Sequence, residues 1–230
     1  MKFKTLPIQA VFLKRLNRFS VQVRLNGRIE EAHLPNSGRL GELLVQERRC
    51  YVFPADNPIR KTRYDLAMIE TPEGGLTSTD ARLPNTLFRE AFDRNQLAAF
   101  QHYSRIDHEV PYEKSRLDFR LSGSNSSCYV EVKSVTLVQE GTALFPDAPT
   151  LRGIKHLNHL MVLKKSGHES AVVFWVQRDD AIRVRPHHTS DPVFSNTLNA
   201  CANQGVRVLA YKSRVTVEGL EFMGEIPVKL

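Results

Sequence analysis

The sequence predicts an α+β protein in which a small β-barrel is followed by a mixed α/β sheet. Residues 8–70 contain several short strands separated by turn residues, which is typical of a small barrel. After a segment rich in Thr, Gly and Pro at 71–85, the order becomes α-β-β-β-α-β-α-β, which favours a mixed sheet covered by helices. We therefore expect a barrel domain at 1–78 and a sheet domain at 79–230.

The barrel is expected to consist of short strands joined by tight turns. Apolar and polar side chains alternate over residues 21–25, and the Asn26-Gly27 pair that follows is a strong hairpin signal. The same patterns predict further strands at 29–34, 40–44, 50–54 and 65–70.

The sheet domain is expected to open with a helix, because Phe88, Ala91 and Phe92 follow helical spacing. Asn85 or Thr86 would cap its N-terminus. A second helix should begin after Thr150 and end in a basic turn before Gly167. The remaining patterns predict strands at 105–112, 116–121, 128–135, 171–176 and 206–211, and a helix at 191–204.

Composition excludes several classes of protein. Hydrophobic residues make up 41% and charged residues 25% of the 230 residues, as in folded globular proteins. The chain lacks a run of 18 apolar residues and a secretory signal, and its three cysteines are too far apart for a zinc ribbon. We therefore expect a protein of the reducing cytoplasm that does not bind a membrane.

The positive charge is concentrated at the N-terminus. Residues 1–70 hold 13 Lys and Arg against 7 Asp and Glu, whereas residues 71–230 hold 19 against 18. This asymmetry is compatible with a merely solvated basic surface or with a site for a polyanion, namely DNA or RNA. The candidate phosphate contacts are Lys14, Arg15, Arg18, Asn36, Arg39, Arg60, Lys61, Arg63 and Lys155.

A hairpin carries the most informative residues. If the strands on either side of the turn at 122–127 pair symmetrically, Asp118 lies opposite Glu131, and Lys133 shares the face of Glu131. Leu117, Phe119 and Leu121 should share the other face of their strand. Two carboxylates this close repel each other unless a proton or a cation lies between them.

This pattern predicts a divalent-cation site. Hard cations such as Mg²⁺ or Mn²⁺ bind one or two carboxylates together with phosphate and water, and a neighbouring lysine can orient water and offset negative charge. The alternative is a solvent-exposed face on which Arg116 and Arg120 neutralise Asp118 and Glu131.

Asp118 and the Glu131-Val132-Lys133 triplet resemble the PD-(D/E)xK nuclease superfamily, with Leu117 at the position of its proline. That resemblance implies catalytic roles for Asp118, Glu131 and Lys133, and a carbonyl ligand at Val132. It also brings in Glu90 on the preceding helix, although an ion pair with Arg94 explains Glu90 equally well.

Longer blocks resemble the sugar fermentation stimulation protein family. They are residues 33–40 (HLPNSGRL), 115–119 (SRLDF), 128–137 (CYVEVKSVTL) and 145–157 (FPDAPTLRGIKHL). The resemblance implies an OB-like barrel, a restriction-endonuclease-like domain, DNA binding and a link to the regulation of sugar metabolism of the maltose type. Lys155 and His156 in the last block are expected at the mouth of the centre, facing phosphate or the edge of the core.

Three functions remain open at this point. The first, which we favour, is a DNA-binding protein of low sequence specificity with a nuclease-like centre that is unused or weak. The second is a Mg²⁺-dependent nuclease acting on DNA or RNA. The third is a protein unrelated to nucleic acid, in which the acidic pair is structural.

Overall fold

The N-terminal part of the chain folds into the small barrel that the sequence predicts. The structure is a computed structural model that describes residues 1–55, 59–113, 115–124 and 126–230. Its strands are β1 (Ile8–Asn17), β2 (Ser20–Leu25), β3 (Arg28–His33), β4 (Arg49–Pro54), β5 (Tyr64–Glu70) and β6 (Leu76–Ser78). The order is β3-β2-β1-β4-β5-β6, and a parallel pairing of β3 with β5 closes the first five into an OB-like barrel.

Residues 40–44 form turns and not the expected strand. Leu40 has a positive φ of 52°, and the amides of Leu43 and Leu44 both donate to its carbonyl. The turn points Leu40 and Leu43 into the barrel core beside Leu34. An apolar run of this length fits either a strand or a turn, and burial of these leucines favours the turn.

A six-stranded mixed sheet forms the second domain. Its order is β15-β14-β12-β9-β8-β7, with β9, β12 and β14 parallel to one another and the remaining pairs antiparallel. The bounds are β7 (Arg105–Tyr112), β8 (Ser115–Ser122), β9 (Ser127–Val135), β12 (Glu169–Val176), β14 (Arg207–Thr216) and β15 (Gly219–Glu225). A small second sheet contains β10 (Val138–Gln139), β11 (Thr142–Phe145) and β13 (Arg183–Pro186).

In the described part of the chain, three α-helices accompany these sheets: α1 (Leu83–Asp93), α2 (Leu151–Lys165) and α3 (Pro192–Asn203). Helix α1 is capped at Arg82, three or four residues earlier than expected, because Pro84 is favourable in a first turn, where its missing N–H is not needed. Helix α2 begins after Thr150, as predicted, and the Thr150 side chain caps it by accepting a hydrogen bond from the Gly153 amide. Within the described ranges, the structure contains no helix with the length and apolar character required to span a bilayer.

Two apolar cores lie on opposite faces of the large sheet. One core contains Phe88 of α1, and the other contains Leu157 of α2. Phe119 and Leu121 belong to the α1 core, whereas Leu117 belongs to the α2 core, so the expectation that all three share a face is wrong. The β7–β8 ladder is interrupted between the Leu117 and Phe119 pairs, where Glu109 has a positive φ of 52°.

The barrel is joined to the sheet domain by buried polar contacts. The hydroxyl of Thr77 donates to the carbonyl of Gln177 over 2.9 Å. The guanidinium of Arg178, only 1% exposed, donates to Glu73 of the barrel and Asp180 of the sheet domain. It also donates to the carbonyl of Thr136. Arg178 therefore bridges the two parts of the chain.

We predict that Arg178→Met lowers the free energy of unfolding by about 2–4 kcal/mol, because it removes the partner of a buried carbonyl and of two carboxylates. Arg214→Met is the matched control, since Arg214 is 49% exposed and pairs with neighbouring Asp179. It should cost less than about 1 kcal/mol. Urea denaturation of both variants measures the difference, and equal losses would refute a bridging role for Arg178.

Candidate functional site

The hairpin of β8 and β9 brings Asp118, Glu131 and Lys133 together. Phe119 pairs with Val130 and Leu121 with Cys128, which is the predicted register. Asp118 precedes the first of these pairs on β8, and Glu131 follows it on β9. The Lys133 ammonium donates to Glu131 Oε1 over 2.6 Å. The geometry thus assembles the three side chains that the sequence pattern selected.

Glu131 is a buried carboxylate with one oxygen engaged and one free. The side chain is 3% exposed, and its Oε1 contacts both Lys133 and the Nδ1 of His156. Burial by itself raises the pKa of Glu131, but the charge of Lys133 and the hydrogen bond from His156 outweigh it and lower the pKa. Oε2 is also buried and has no hydrogen-bond partner in the part of the chain that the structure describes.

Asp118 is held at the edge of the same centre. Its Oδ1 accepts from the side-chain amide of Asn85 over 2.9 Å, and its Oδ2 accepts from the Val132 amide over 2.8 Å. Burial, together with the nearby charge of Glu131, raises the pKa of Asp118 to about 6, although the charge of Lys133 and these two hydrogen bonds act in the opposite direction. A positive charge placed here would lower the free-energy cost of ionising Asp118.

Sequence reasoning missed two partners of the centre. Asn85 was expected to cap α1, yet its amide instead holds Asp118. His156 was expected to face phosphate or the edge of the core, and it is buried against Glu131. Because a carboxylate only accepts, Nδ1 of His156 must carry the proton in this contact. The position of His156 among the buried residues Gly153 and Leu160 was a signal for an inward-facing side chain.

The ligand chemistry of this centre suits a hard divalent cation. The free Oε2 of Glu131 and the carboxylate of Asp118 are oxygen donors of the kind that Mg²⁺, Mn²⁺ and Ca²⁺ prefer. Within the described ranges, no three His, Cys, Asp or Glu side chains converge as a complete metal-binding set. A cation held here would therefore complete its coordination with backbone carbonyls, phosphate or water, as Mg²⁺ usually does.

A cleft of about 840 Å³ opens beside the centre. Asp118 and His156 line it together with three cationic side chains, namely Arg116, Arg152 and Lys155. Arg116 is paired with Glu109 at 3.1 Å. Arg152 and Lys155 are exposed on the first turns of α2 and have no carboxylate partner among the described residues. Glu109 and Glu113 also line the cleft, so Arg152 and Lys155 present positive charge beside Asp118 in a cleft of mixed sign.

The structure does not bring Glu90 to this centre, which corrects the expectation from the superfamily. Its carboxylate pairs with Arg94 at 2.6 Å and with the N-terminal ammonium of Met1 at 3.1 Å. It lines a separate cavity of about 710 Å³. Asn85, five residues earlier on α1, faces Asp118 instead. Five residues rotate a helix by about 500°, so the side chains of Asn85 and Glu90 point about 140° apart.

Three of the predicted phosphate contacts form hydrogen bonds or ion pairs within the barrel. Arg15 donates to four backbone carbonyls, those of Asn17, Arg18, Gly38 and Arg39, so its guanidinium holds two loops in place. Asn36 is buried and accepts from the Gly38 amide. Arg60 forms a bidentate ion pair with Asp65. These three side chains are therefore engaged in contacts within the barrel.

The remaining cationic candidates are exposed. Five of them, Lys14, Arg18, Arg39, Lys61 and Arg63, lie on the barrel surface, and Lys155 lies at the cleft. They stay candidates for contacts with a polyanion, since exposed positive charge without a fixed partner is what phosphate binding requires.

Two family models match the chain. One, described as "Sugar fermentation stimulation protein RE domain", covers residues 82–219, and the other, "SfsA N-terminal OB domain", covers residues 13–77. A sugar fermentation stimulation protein homolog from Moorella thermoacetica is 44% identical over 225 residues, 97% of each chain. A homolog from Methanobrevibacter smithii is 39% identical over 94% of each chain.

A solved structure is also similar over the full length. It is described as Pyrococcus furiosus SfsA in complex with Ca²⁺, and it is 29% identical in sequence. The TM-score is 0.92, and the match covers 100% of this chain and 98% of the other. The similarity includes both the barrel and the sheet domain in their present arrangement.

We predict that Asp118→Asn stabilises the protein at neutral pH. The folded-state pKa of Asp118 is raised from 3.8 to about 6, so ionising this carboxyl costs stability that is lost progressively as the pH rises from about 4 to about 6. The variant avoids this cost and should gain about 2 kcal/mol above pH 6.5 and nothing below pH 4.

Asp107→Asn on neighbouring β7 is the matched control. Hydrogen bonds from Arg120 and Arg105 lower the pKa of Asp107, so its removal should decrease stability above pH 4. Thermal unfolding between pH 3 and pH 8 separates the two directions. A gain for Asp118→Asn that does not change with pH would show that ionisation of Asp118 is not its cause.

Proposed function

This chain belongs to the sugar fermentation stimulation protein family, and we propose that it is a DNA-binding protein of low sequence specificity with a divalent-cation centre at Asp118 and Glu131. The observation that supports this most directly is the cleft lined by the unpaired cations Arg152 and Lys155 and by Asp118 and His156, the neighbours of buried Glu131. A carboxylate pair alone would repel a phosphate backbone. Together with a cation and these side chains it would attract one.

Binding would depend mainly on phosphate contacts. The exposed cations lie on strand β1 (Lys14), on turns and loops of the barrel, and on the first turns of α2, from which they can contact a phosphate backbone. Contacts of this kind position a nucleic acid without identifying its bases, which accounts for low sequence specificity. The excess of positive charge in residues 1–70 supports a contribution from the barrel.

The cation would be held by the free Oε2 of Glu131 and by Asp118. The relative from Pyrococcus furiosus is described as a complex with Ca²⁺, and Ca²⁺, Mg²⁺ and Mn²⁺ share a preference for oxygen ligands. When bound, such a cation supplies positive charge that polarises a phosphate oxygen. His156 and Lys133 keep the other oxygen of Glu131 occupied and thereby direct Oε2.

A second function, hydrolysis of phosphodiesters in DNA or RNA, is favoured by the position of Lys133. Its ammonium lies on the strand face of Glu131 and can orient a water molecule while offsetting charge that develops on the phosphate. The reaction consumes one water molecule: its oxygen bonds to phosphorus, the bond to one ester oxygen breaks, and the departing oxygen takes up a proton.

The first function predicts a specific salt dependence of binding. Fluorescence anisotropy with DNA duplexes of unrelated sequence should give similar affinities that fall linearly with log salt concentration. Lys155→Ala should reduce that slope by about 0.9, the contribution of one phosphate contact. Lys165→Ala, at the other end of α2, is the control and should leave the slope unchanged. Equal slopes for both variants, or absence of binding at low salt, would contradict the assignment.

The second function predicts that Lys133→Ala abolishes cleavage while retaining most of the affinity, because phosphate contacts elsewhere carry the binding. Purified protein should cleave DNA or RNA with Mg²⁺ or Mn²⁺ and not with EDTA. Cleavage that survives in Lys133→Ala and in Glu131→Gln comes from a contaminant. If the wild type leaves the substrate intact under all these conditions, the hydrolytic function is refuted and the binding function is unaffected.

A further inference from the structure

An exposed aromatic side chain stands in the turn between β1 and β2. Phe19 is 47% exposed, although turns favour Gly, Asn, Asp and Ser. The guanidinium of Arg18 lies 5.4 Å from the centre of the Phe19 ring, and the His33 ring is centred 6.5 Å away with its plane tilted by 32°. An aromatic ring flanked by a cation and a second flat ring offers a surface for stacking.

Each backbone carbonyl of residues 17–19, around this ring, accepts a hydrogen bond. Arg15 donates to the carbonyls of Asn17 and Arg18, and the Leu34 amide donates to that of Phe19. The side-chain oxygen of Asn17 accepts from the Phe19 amide over 2.9 Å. The ring is therefore presented from a fixed turn, so little conformational entropy is lost when something stacks on it.

The same turn is connected to the cleft. Besides the turn, Arg15 holds the carbonyls of Gly38 and Arg39 at 2.7 and 2.8 Å. The next amide, that of Leu40, donates to Asp147, three residues before the cap of α2. Arg18 and Arg39 on this side of the barrel are exposed and have no carboxylate partner among the described residues.

We propose that Phe19, with Arg18 and His33, is a stacking site for an unpaired nucleobase, so that the partner of this protein is single-stranded nucleic acid. This inference rests on the proposed function. A base inside a duplex hides its faces against its neighbours, whereas an unpaired base can stack on an aromatic ring. Arg18 supplies positive charge for the adjoining phosphate. Stacking depends little on base identity, which agrees with low sequence specificity.

The test compares binding to an oligothymidylate, an abasic oligomer of the same length and a duplex at one salt concentration. The wild type should bind the oligothymidylate most tightly. Phe19→Ala should weaken that binding by about 5- to 100-fold and leave binding to the abasic oligomer unchanged. Phe19→Trp should retain the preference, because its ring stacks equally well. An oligouridylate of the same length distinguishes RNA from DNA as the source of the base.

Two controls make the result decisive. Ile29→Ala removes another exposed apolar side chain, four residues from His33 on β3, and should have no effect. Phe19→Leu keeps apolar bulk without a ring and should also lose the preference for the oligothymidylate. It provides the same test if the alanine variant fails to fold.

Equal affinity of the wild type for the oligothymidylate and the abasic oligomer would overturn the stacking site while leaving nucleic-acid binding intact. An unchanged preference in both Phe19→Ala and Phe19→Leu would do the same. Absence of binding to all the oligomers and to the duplex would instead refute the proposed function itself.

Discussion

The contact of Glu131 with Lys133 and His156 is the interaction on which the centre depends. A carboxylate that is almost fully buried is stable only when its charge is compensated and its oxygens are bonded. One partner comes from the same strand and the other from α2, so this helix must pack against β9 at a fixed register. Only one oxygen is satisfied, which leaves Oε2 as the polar atom that a cation can use.

The same packing determines where the cleft lies and how the barrel joins it. Because His156 is turned inward, Arg152 and Lys155 on the preceding turn lie at the open side of α2. The loop before α2 accepts a hydrogen bond from Leu40, and Arg15 holds the backbone just before Leu40. Hydrogen bonds thus connect the turn of the barrel to the loop that precedes α2.

Local patterns predicted the elements of this centre, and tertiary contacts decided its details. The hairpin register followed from the short loop between β8 and β9, since alternation leaves few ways to bury both apolar faces. The pairing of His156 with Glu131 joins residues 25 positions apart. Arg15 looked like a surface cation because sequence alone does not show which backbone carbonyls need a donor. For Glu90, the i,i+4 ion pair with Arg94 that the sequence offered as the alternative is present, and the added pair with the N-terminal ammonium of Met1 is a tertiary contact that sequence does not show.

The position of a bound cation tests the central claim most directly. Crystals grown with Mn²⁺ should show an anomalous difference peak within about 2.6 Å of Glu131 Oε2 and of a carboxylate oxygen of Asp118. His156 and Lys133 should still contact Oε1 in that complex. Mn²⁺ bound only at another position would contradict the account. So would the absence of a peak at saturating Mn²⁺ with an ordered water molecule hydrogen-bonded to Oε2.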